Sequence, residues 1–128
     1  MSNQNEIANI KKLTKEIRKN ILKLSLAAGA SSSHFGGSLS TVELLATLYN
    51  SVLKFDVSNP LWEDRDRFIL SKGHGAAALF QILAMKGFYP DKLLSDYGED
   101  GSIFAEHPPS PDYLPGIEAA TGSLGHGL

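Results

Sequence analysis

The fold of this chain is constrained most by a short apolar run near its middle. The run ends at a histidine between two glycines, and strong helix formers follow. Residues 67–70 (RFIL) are followed by 71–75 (SKGHG) and then by the alanine- and leucine-rich stretch 76–85. This order predicts a strand, a tight turn and a helix. In open α/β folds, such a turn lies at the carboxyl end of a sheet, where ligands bind. We therefore expect His74, between two glycines that allow close backbone approach, to face a ligand.

Further helices are predicted on either side of this unit. From Glu6 to Ala28, apolar residues recur at steps of three or four and basic residues fill the other side, with Gly29 as a C-terminal cap. Ser40-Thr41-Val42-Glu43 matches a capping box and predicts that a second helix starts there. Pro90 is expected in the first turn of a short helix over residues 91–97.

The remaining segments are predicted to be loops. Residues 30–38 are mostly small, residues 98–115 are rich in Pro, Gly and Asp, and the chain closes on a glycine-rich segment, 121–128. A loop as long as 98–115 is uncommon in a compact domain unless it is functional or disordered. Only one strand is convincing, and one strand cannot form a sheet. The sequence is therefore expected to be part of a domain.

Composition excludes several classes of function. The net charge is −2 and no basic run occurs, which argues against nucleic acid as a partner. The absence of cysteine excludes disulfides and thiol catalysis. No signal peptide is recognisable, and no apolar run approaches the roughly 20 residues that span a bilayer. A cytoplasmic protein without membrane partners is expected.

All four histidines, His34, His74, His107 and His126, fall in predicted loops. No two have the i, i+2 or i, i+4 spacing of a local zinc motif and no cysteine assists, so the pattern disfavours zinc. A Ser-His-Asp hydrolase is disfavoured because Gly-x-Ser-x-Gly is absent. The favoured interpretation is that several imidazoles converge on a polyhydroxylated or phosphorylated ligand.

A dinucleotide-binding fingerprint is formally present and is also disfavoured. Residues 73–78 fit Gly-x-Gly-x-x-Ala, and Asp96 follows at about the usual distance of 20 residues. The fingerprint requires a second strand that ends at this acid. Pro90 interrupts the segment where that strand would lie, and Asp96 falls in a predicted helix.

Three segments together resemble the opening third of the transketolase family. They are residues 33–40 (SHFGGSLS), 66–74 (DRFILSKGH), and His107-Pro108 followed by 115–127 (PGIEAATGSLGHG). More narrowly, they are similar to the amino-terminal subunit of split, two-chain transketolases. The resemblance implies an α/β thiamine-diphosphate-binding fold with a parallel sheet flanked by helices. Residues 1–128 are expected to be a mostly helical, amino-terminal part of that domain, ending before its metal-binding segment.

The resemblance also implies a chemistry and a set of site residues. The family binds thiamine diphosphate and a divalent ion, usually Mg²⁺, and transfers a two-carbon ketol unit from a ketose phosphate to an aldose phosphate. It implies catalytic roles for His34, His74 and His107, with His34 and His107 on the substrate. The implied cofactor-binding residues are His74, Gly122, Ser123 and Leu124, while the role of His126 stays open.

Some features depart from the family pattern. Glu106 stands where the family commonly has Gly, and the metal-ligating segment and the glutamate that activates the cofactor are not found within these residues. We therefore expect the chain alone to bind cofactor weakly, to be inactive, and to need a C-terminal subunit or the rest of its chain, as a homodimer or heterotetramer. The alternatives are a 1-deoxyxylulose-5-phosphate synthase-like enzyme and a non-catalytic homologue that acts as an interaction protein.

Overall fold

The computed structural model describes residues 2–29 and 34–124. Four α-helices account for most of the regular structure. They are α1 (Ser2–Ala28), α2 (Phe35–Leu39), α3 (Val42–Thr47) and α4 (Ala76–Lys86). Helix α3 continues into a π-helical turn, Leu48–Val52. Short 3₁₀ segments lie at Gly73–Gly75, Asp91–Asp96 and Pro111–Tyr113.

Helix α4 is the centre of the core. All of its residues from Ala76 to Ala84 are buried, including Gln81. A helix that is apolar on nearly all sides must be surrounded, and α1, α3 and the segment Asp91–Asp96 pack around it. The predicted helix over 76–85 is confirmed, and Gly87 ends it in the left-handed conformation (φ 92°).

The long amphipathic helix is also confirmed, with an earlier start. Helix α1 begins at Ser2 rather than Glu6, and Gly29 follows its last residue with φ 86°. Ile17 and Ile21 are fully buried, while the lysines of the opposite side are exposed. The apolar period therefore identified the face that meets the core.

The predicted strand over 67–70 is not formed, and no strand or sheet occurs within residues 2–29 and 34–124. The segment is not helical either. Asp66 N donates to Lys54 O over 2.8 Å, but no ladder of bonds continues from there in the described residues. A strand exists only when a neighbouring strand satisfies its backbone groups. The parallel sheet expected from the family resemblance is therefore absent from the part of the fold that is described.

Two local predictions around residue 40 are wrong. Phe35–Leu39 is a helix rather than a loop, and the next helix begins at Val42 without a side-chain cap. Ser40 Oγ donates to Gly37 O (3.2 Å), and Glu43 pairs with Arg18 of α1. Ser40 is thus bonded to the end of α2 and Glu43 to α1, so the two side chains do not make the reciprocal bonds of a capping box.

The second half of the described chain follows the prediction more loosely. Pro90 directly precedes the short helix at Asp91–Asp96, which is 3₁₀ rather than α. Residues 98–115 are irregular except at Pro111–Tyr113, although Phe104 from this loop is buried against α4. Within the described residues, none of the helices combines the length and apolar character that crossing a bilayer requires.

Candidate functional site

Three histidines from separate segments lie side by side. The ring centroids of His34 and His74 are 4.7 Å apart, those of His74 and His107 are 4.6 Å apart, and those of His34 and His107 are 5.8 Å apart. One candidate ligand atom from each ring lies within 4.8 Å of the other two. The expectation that these imidazoles converge is confirmed. We refer to His34, His74 and His107 as the histidine cluster.

Each histidine is placed by a different element. His34 directly precedes α2, and its carbonyl accepts a hydrogen bond from Ser38 N (3.1 Å). His74 occupies the 3₁₀ turn that leads into α4, as the turn prediction required. His107 belongs to the irregular loop after Phe104. All three side chains are partly exposed, so the histidine cluster is accessible to a ligand.

Glu106 reaches across to His34. Its Oε2 lies 3.2 Å from His34 Nε2, and both side chains are partly exposed. The sequence marked Glu106 only as a departure from the family pattern. Its position beside His107 was the available signal, but a sequence cannot show that one neighbour in a loop turns toward a histidine 72 positions away.

A close backbone approach joins the segments that carry His74 and His107. A Cβ atom on Gly73 would lie 2.7 Å from Gly122 N, and one on Gly122 (φ 141°) would lie 3.0 Å from His107 Cδ2. Both positions therefore require glycine, the first for space and the second for space and conformation. The segment at Gly122 therefore borders the histidine cluster.

A second contact ties α2 to the same turn. Lys72 Nζ donates to Ser40 Oγ over 2.7 Å. The sequence pattern predicted a helix cap at Ser40 and no role for Lys72, although Lys72 directly precedes the Gly-His-Gly turn. The bond connects the segment before His74 to the residue that follows α2.

The residues around the histidine cluster fit the polar part of a phosphorylated cofactor. The Oγ1 atom of Thr121, next to Gly122, is buried and finds no hydrogen-bond partner within residues 2–29 and 34–124. Imidazoles and hydroxyls donate hydrogen bonds to phosphate and sugar oxygens. The cluster and Thr121 therefore match a ligand of the thiamine diphosphate type.

The same residues do not fit Mg²⁺. This ion requires a near-octahedral set of oxygen ligands. The group of three potential metal ligands found among the described residues consists of imidazoles alone. The histidine cluster therefore lacks the oxygen ligands that would hold Mg²⁺.

The remaining predicted site residues differ in their placement. Ser123 and Leu124 follow Gly122 at the surface, and the Leu124 side chain is 65 % exposed. His126 lies outside the described residues. The cofactor-binding roles of Gly122, Ser123 and Leu124 stay predictions, as does that of His74.

Burial lowers the pKa of His107 below its ordinary value of 6.5, and the nearby His74 and His34 lower it further, while Glu106 acts in the opposite direction. We expect the imidazole resonances of His107 to titrate below pH 6.5. Glu106→Gln should lower this midpoint further, because it removes the opposing charge. Proton NMR, with His107 assigned by His107→Gln, measures both values.

The lowered pKa of His107 also makes the free energy of unfolding depend on pH. Below pH 6.5 the unfolded chain binds a proton at His107 more readily than the folded chain does. The free energy of unfolding should therefore fall as the pH is lowered from 6.5 toward the folded pKa, and it should fall less in His107→Gln. A titration midpoint of the His107 imidazole at or above pH 6.5 would contradict the lowered pKa.

Comparison with known proteins places the chain in a family. Residues 10–128 match the family described as transketolase, thiamine diphosphate binding domain. The 6-deoxy-6-sulfo-D-fructose transketolase subunit SqwG of Clostridium sp. (strain MSTE9) is 46 % identical over 95 residues, which cover 74 % of this chain and 34 % of that protein. An apulose-4-phosphate transketolase subunit of Phocaeicola vulgatus is 40 % identical over 111 residues, covering 87 % of this chain and 38 % of that protein.

Solved structures agree with this relationship. Transketolase from Leishmania mexicana superimposes with a TM-score of 0.82 at 33 % identity, covering 91 % of this chain and 17 % of that chain. The matches thus span little more than a third of the two curated relatives and less of the solved chain. With the family match over residues 10–128, the chain belongs to the transketolase family, as part of its thiamine diphosphate-binding domain.

Proposed function

We propose that this chain is the amino-terminal, thiamine diphosphate-binding part of a transketolase. In this role it acts on sugar phosphates, moving a two-carbon ketol unit from a ketose phosphate to an aldose phosphate. The observation that carries the proposal is the convergence of His34, His74 and His107 beside the turn at Gly122. Solvated loop histidines have no reason to meet from three separate segments.

In the proposed assignment, the histidine cluster handles the substrate. His34 and His107 would bond the hydroxyl groups around the reacting carbons, and His74 would bond the cofactor's diphosphate and the donor sugar. The lowered pKa of His107 keeps its imidazole neutral near pH 7, so that one ring nitrogen can accept a proton from a sugar hydroxyl. Glu106 orients the His34 ring through Nε2.

The cofactor adds what these side chains lack. Thiamine diphosphate, when bound, supplies a nucleophilic carbon and stores the electron pair released when the carbon–carbon bond breaks. Gly122, Ser123 and Leu124 would hold it by backbone and side-chain contacts. The proposal also includes Mg²⁺ as the second cofactor and a partner subunit or further chain that completes the enzyme. It further includes assembly as a homodimer or heterotetramer and a cytoplasmic location. Two relatives are named as subunits, which supports a two-chain arrangement.

Reconstitution tests the proposal. The chain is mixed with thiamine diphosphate, Mg²⁺ and the C-terminal transketolase subunit from the same genome, with fructose 6-phosphate as donor and ribose 5-phosphate as acceptor. Mass spectrometry follows the acceptor product that gains two carbons. We expect activity only when both chains are present, and weak cofactor binding by this chain alone.

Matched variants assign the activity to the histidine cluster. His74→Gln and His107→Gln should each lower kcat/KM by about 100-fold or more, because they remove a group that moves or holds a proton. Asp91→Asn, at an exposed position in the segment after α4, serves as the control. A complex that forms but transfers no ketol unit would favour a non-catalytic interaction protein. Undiminished activity in both histidine variants would refute the assigned roles.

A further inference from the structure

The histidine cluster also has the composition of a transition-metal site. Sequence spacing disfavoured zinc because no two histidines form a local ligand pair. Metal binding depends on the distance between ligand atoms in space rather than on their spacing in the sequence. Here one nitrogen of each ring lies within 4.8 Å of the others. We propose that His34, His74 and His107 together bind Zn²⁺ or a similar divalent transition ion, with an open fourth position. This inference does not rest on the proposed function, and an ion bound here would occupy imidazole nitrogens that the proposed function assigns to the substrate and cofactor.

The distances are close to those that such a site requires. Zn–N bonds are about 2.0–2.1 Å long, so two nitrogens of a tetrahedral site lie roughly 3.4 Å apart. Nitrogens that are now within 4.8 Å reach this spacing by rotations of the rings. The three side chains are partly exposed, which leaves space on the solvent side for such rotations.

Glu106 supplies a second feature of metal sites. A histidine that binds a metal commonly donates its other N–H to a carboxylate, which fixes the tautomer and orients the ring. The Oε2 atom of Glu106 lies 3.2 Å from His34 Nε2. An Nε2 proton in this bond would leave Nδ1 of His34 to bind the ion. The carboxylate also offsets part of the charge of a dication.

Ligand type selects the ion. Three imidazoles suit Zn²⁺, Ni²⁺ and Cu²⁺, whereas Mg²⁺ prefers oxygen. The proposed ion is thus distinct from the Mg²⁺ of the proposed function. Because its ligands come from three segments, the ion would also join the start of α2, the turn before α4 and the loop at 106–107.

Titration of the untagged, chelator-treated chain with ZnCl₂ tests the site. Calorimetry should give one ion per chain, and CoCl₂ should produce the visible bands of tetrahedral Co²⁺. Each of His34→Gln, His74→Gln and His107→Gln is expected to weaken Zn²⁺ binding by about 100-fold or more, and Glu106→Gln by about tenfold. Glu99→Gln, an exposed acid elsewhere, should leave it unchanged. Millimolar Mg²⁺ should not compete.

Two further measurements guard against misfolded variants and other sites. In the wild-type chain, paramagnetic Ni²⁺ should broaden amide NMR signals around residues 34, 74 and 106–107, without any substitution. Zn²⁺ should raise the Tm, because it binds the folded state. The triple histidine variant keeps His126, so undiminished binding in that variant would overturn the proposal. Broadening centred elsewhere in the chain would also overturn it.

Discussion

Phe80→Ala is expected to lower the free energy of unfolding by about 3–5 kcal/mol, the range for removing a fully buried phenylalanine. Phe80 lies in the middle of α4 and is 0 % exposed. Its ring packs edge-to-face against Phe104 (5.3 Å between centroids) and Tyr97 (6.3 Å). The substitution would leave a cavity between α4 and the loop that precedes His107.

Urea denaturation followed by circular dichroism measures this loss. Phe35→Ala is the matched control, because it removes the same atoms from a side chain that is 44 % exposed. We expect this control to cost less than about 1 kcal/mol. Equal losses in the two variants would show that the burial of Phe80 does not stabilise the fold.

Gly73→Ala is expected to cost about 1–3 kcal/mol, the usual range for overpacking. The added Cβ would lie 2.7 Å from Gly122 N, 2.8 Å from Gly122 Cα and 2.9 Å from Thr121 C. These are backbone atoms, so no flexible side chain can move out of the way. The turn that carries His74 would separate from the segment that borders His107.

Two measurements follow this change. Urea denaturation gives the loss of stability, and imidazole NMR shifts of His74 and His107 report the altered spacing. Gly36→Ala is the control, because nothing lies within 4 Å of its added Cβ and the residue is helical. Alanine should stabilise α2 slightly there. Unchanged histidine shifts in Gly73→Ala would contradict the close contact.

Sequence patterns correctly predicted the helices and caps that depend mainly on residues near them in the chain. The spacing of apolar residues in α1, the helix formers of α4 and the glycines at 29 and 87 each specify structure through neighbouring residues. The segment 67–70 has strand character, but a strand depends on a partner elsewhere, which sequence patterns do not reveal. The sequence around 67–70 therefore could not show that this segment has no strand partner among the described residues.

Helix α2 shows the opposite failure. Gly36 and Gly37 are poor helix formers, so the sequence predicted a loop. Its packing against α1, α4 and the turn at Gly73–Gly75 overrides this weak propensity, and Ser38 is buried there.

For the site, the occurrence of all four histidines in predicted loops indicated that several imidazoles converge, but it did not identify which of them form the histidine cluster. Its members were grouped through the family resemblance, and the contact of Glu106 with His34 emerged only from the folded chain.

The central position of α4 has a consequence for motion at the histidine cluster. Backbone amides in a fully enclosed helix open to solvent only when most of the fold opens, whereas those in irregular surface loops open by small local fluctuations. His74 lies in the turn that leads directly into α4, so its backbone is expected to open with the helix, while Glu106 and His107 belong to an irregular loop. Adjustment to ligands of different size should therefore come from the loop side, with His74 as the fixed reference point.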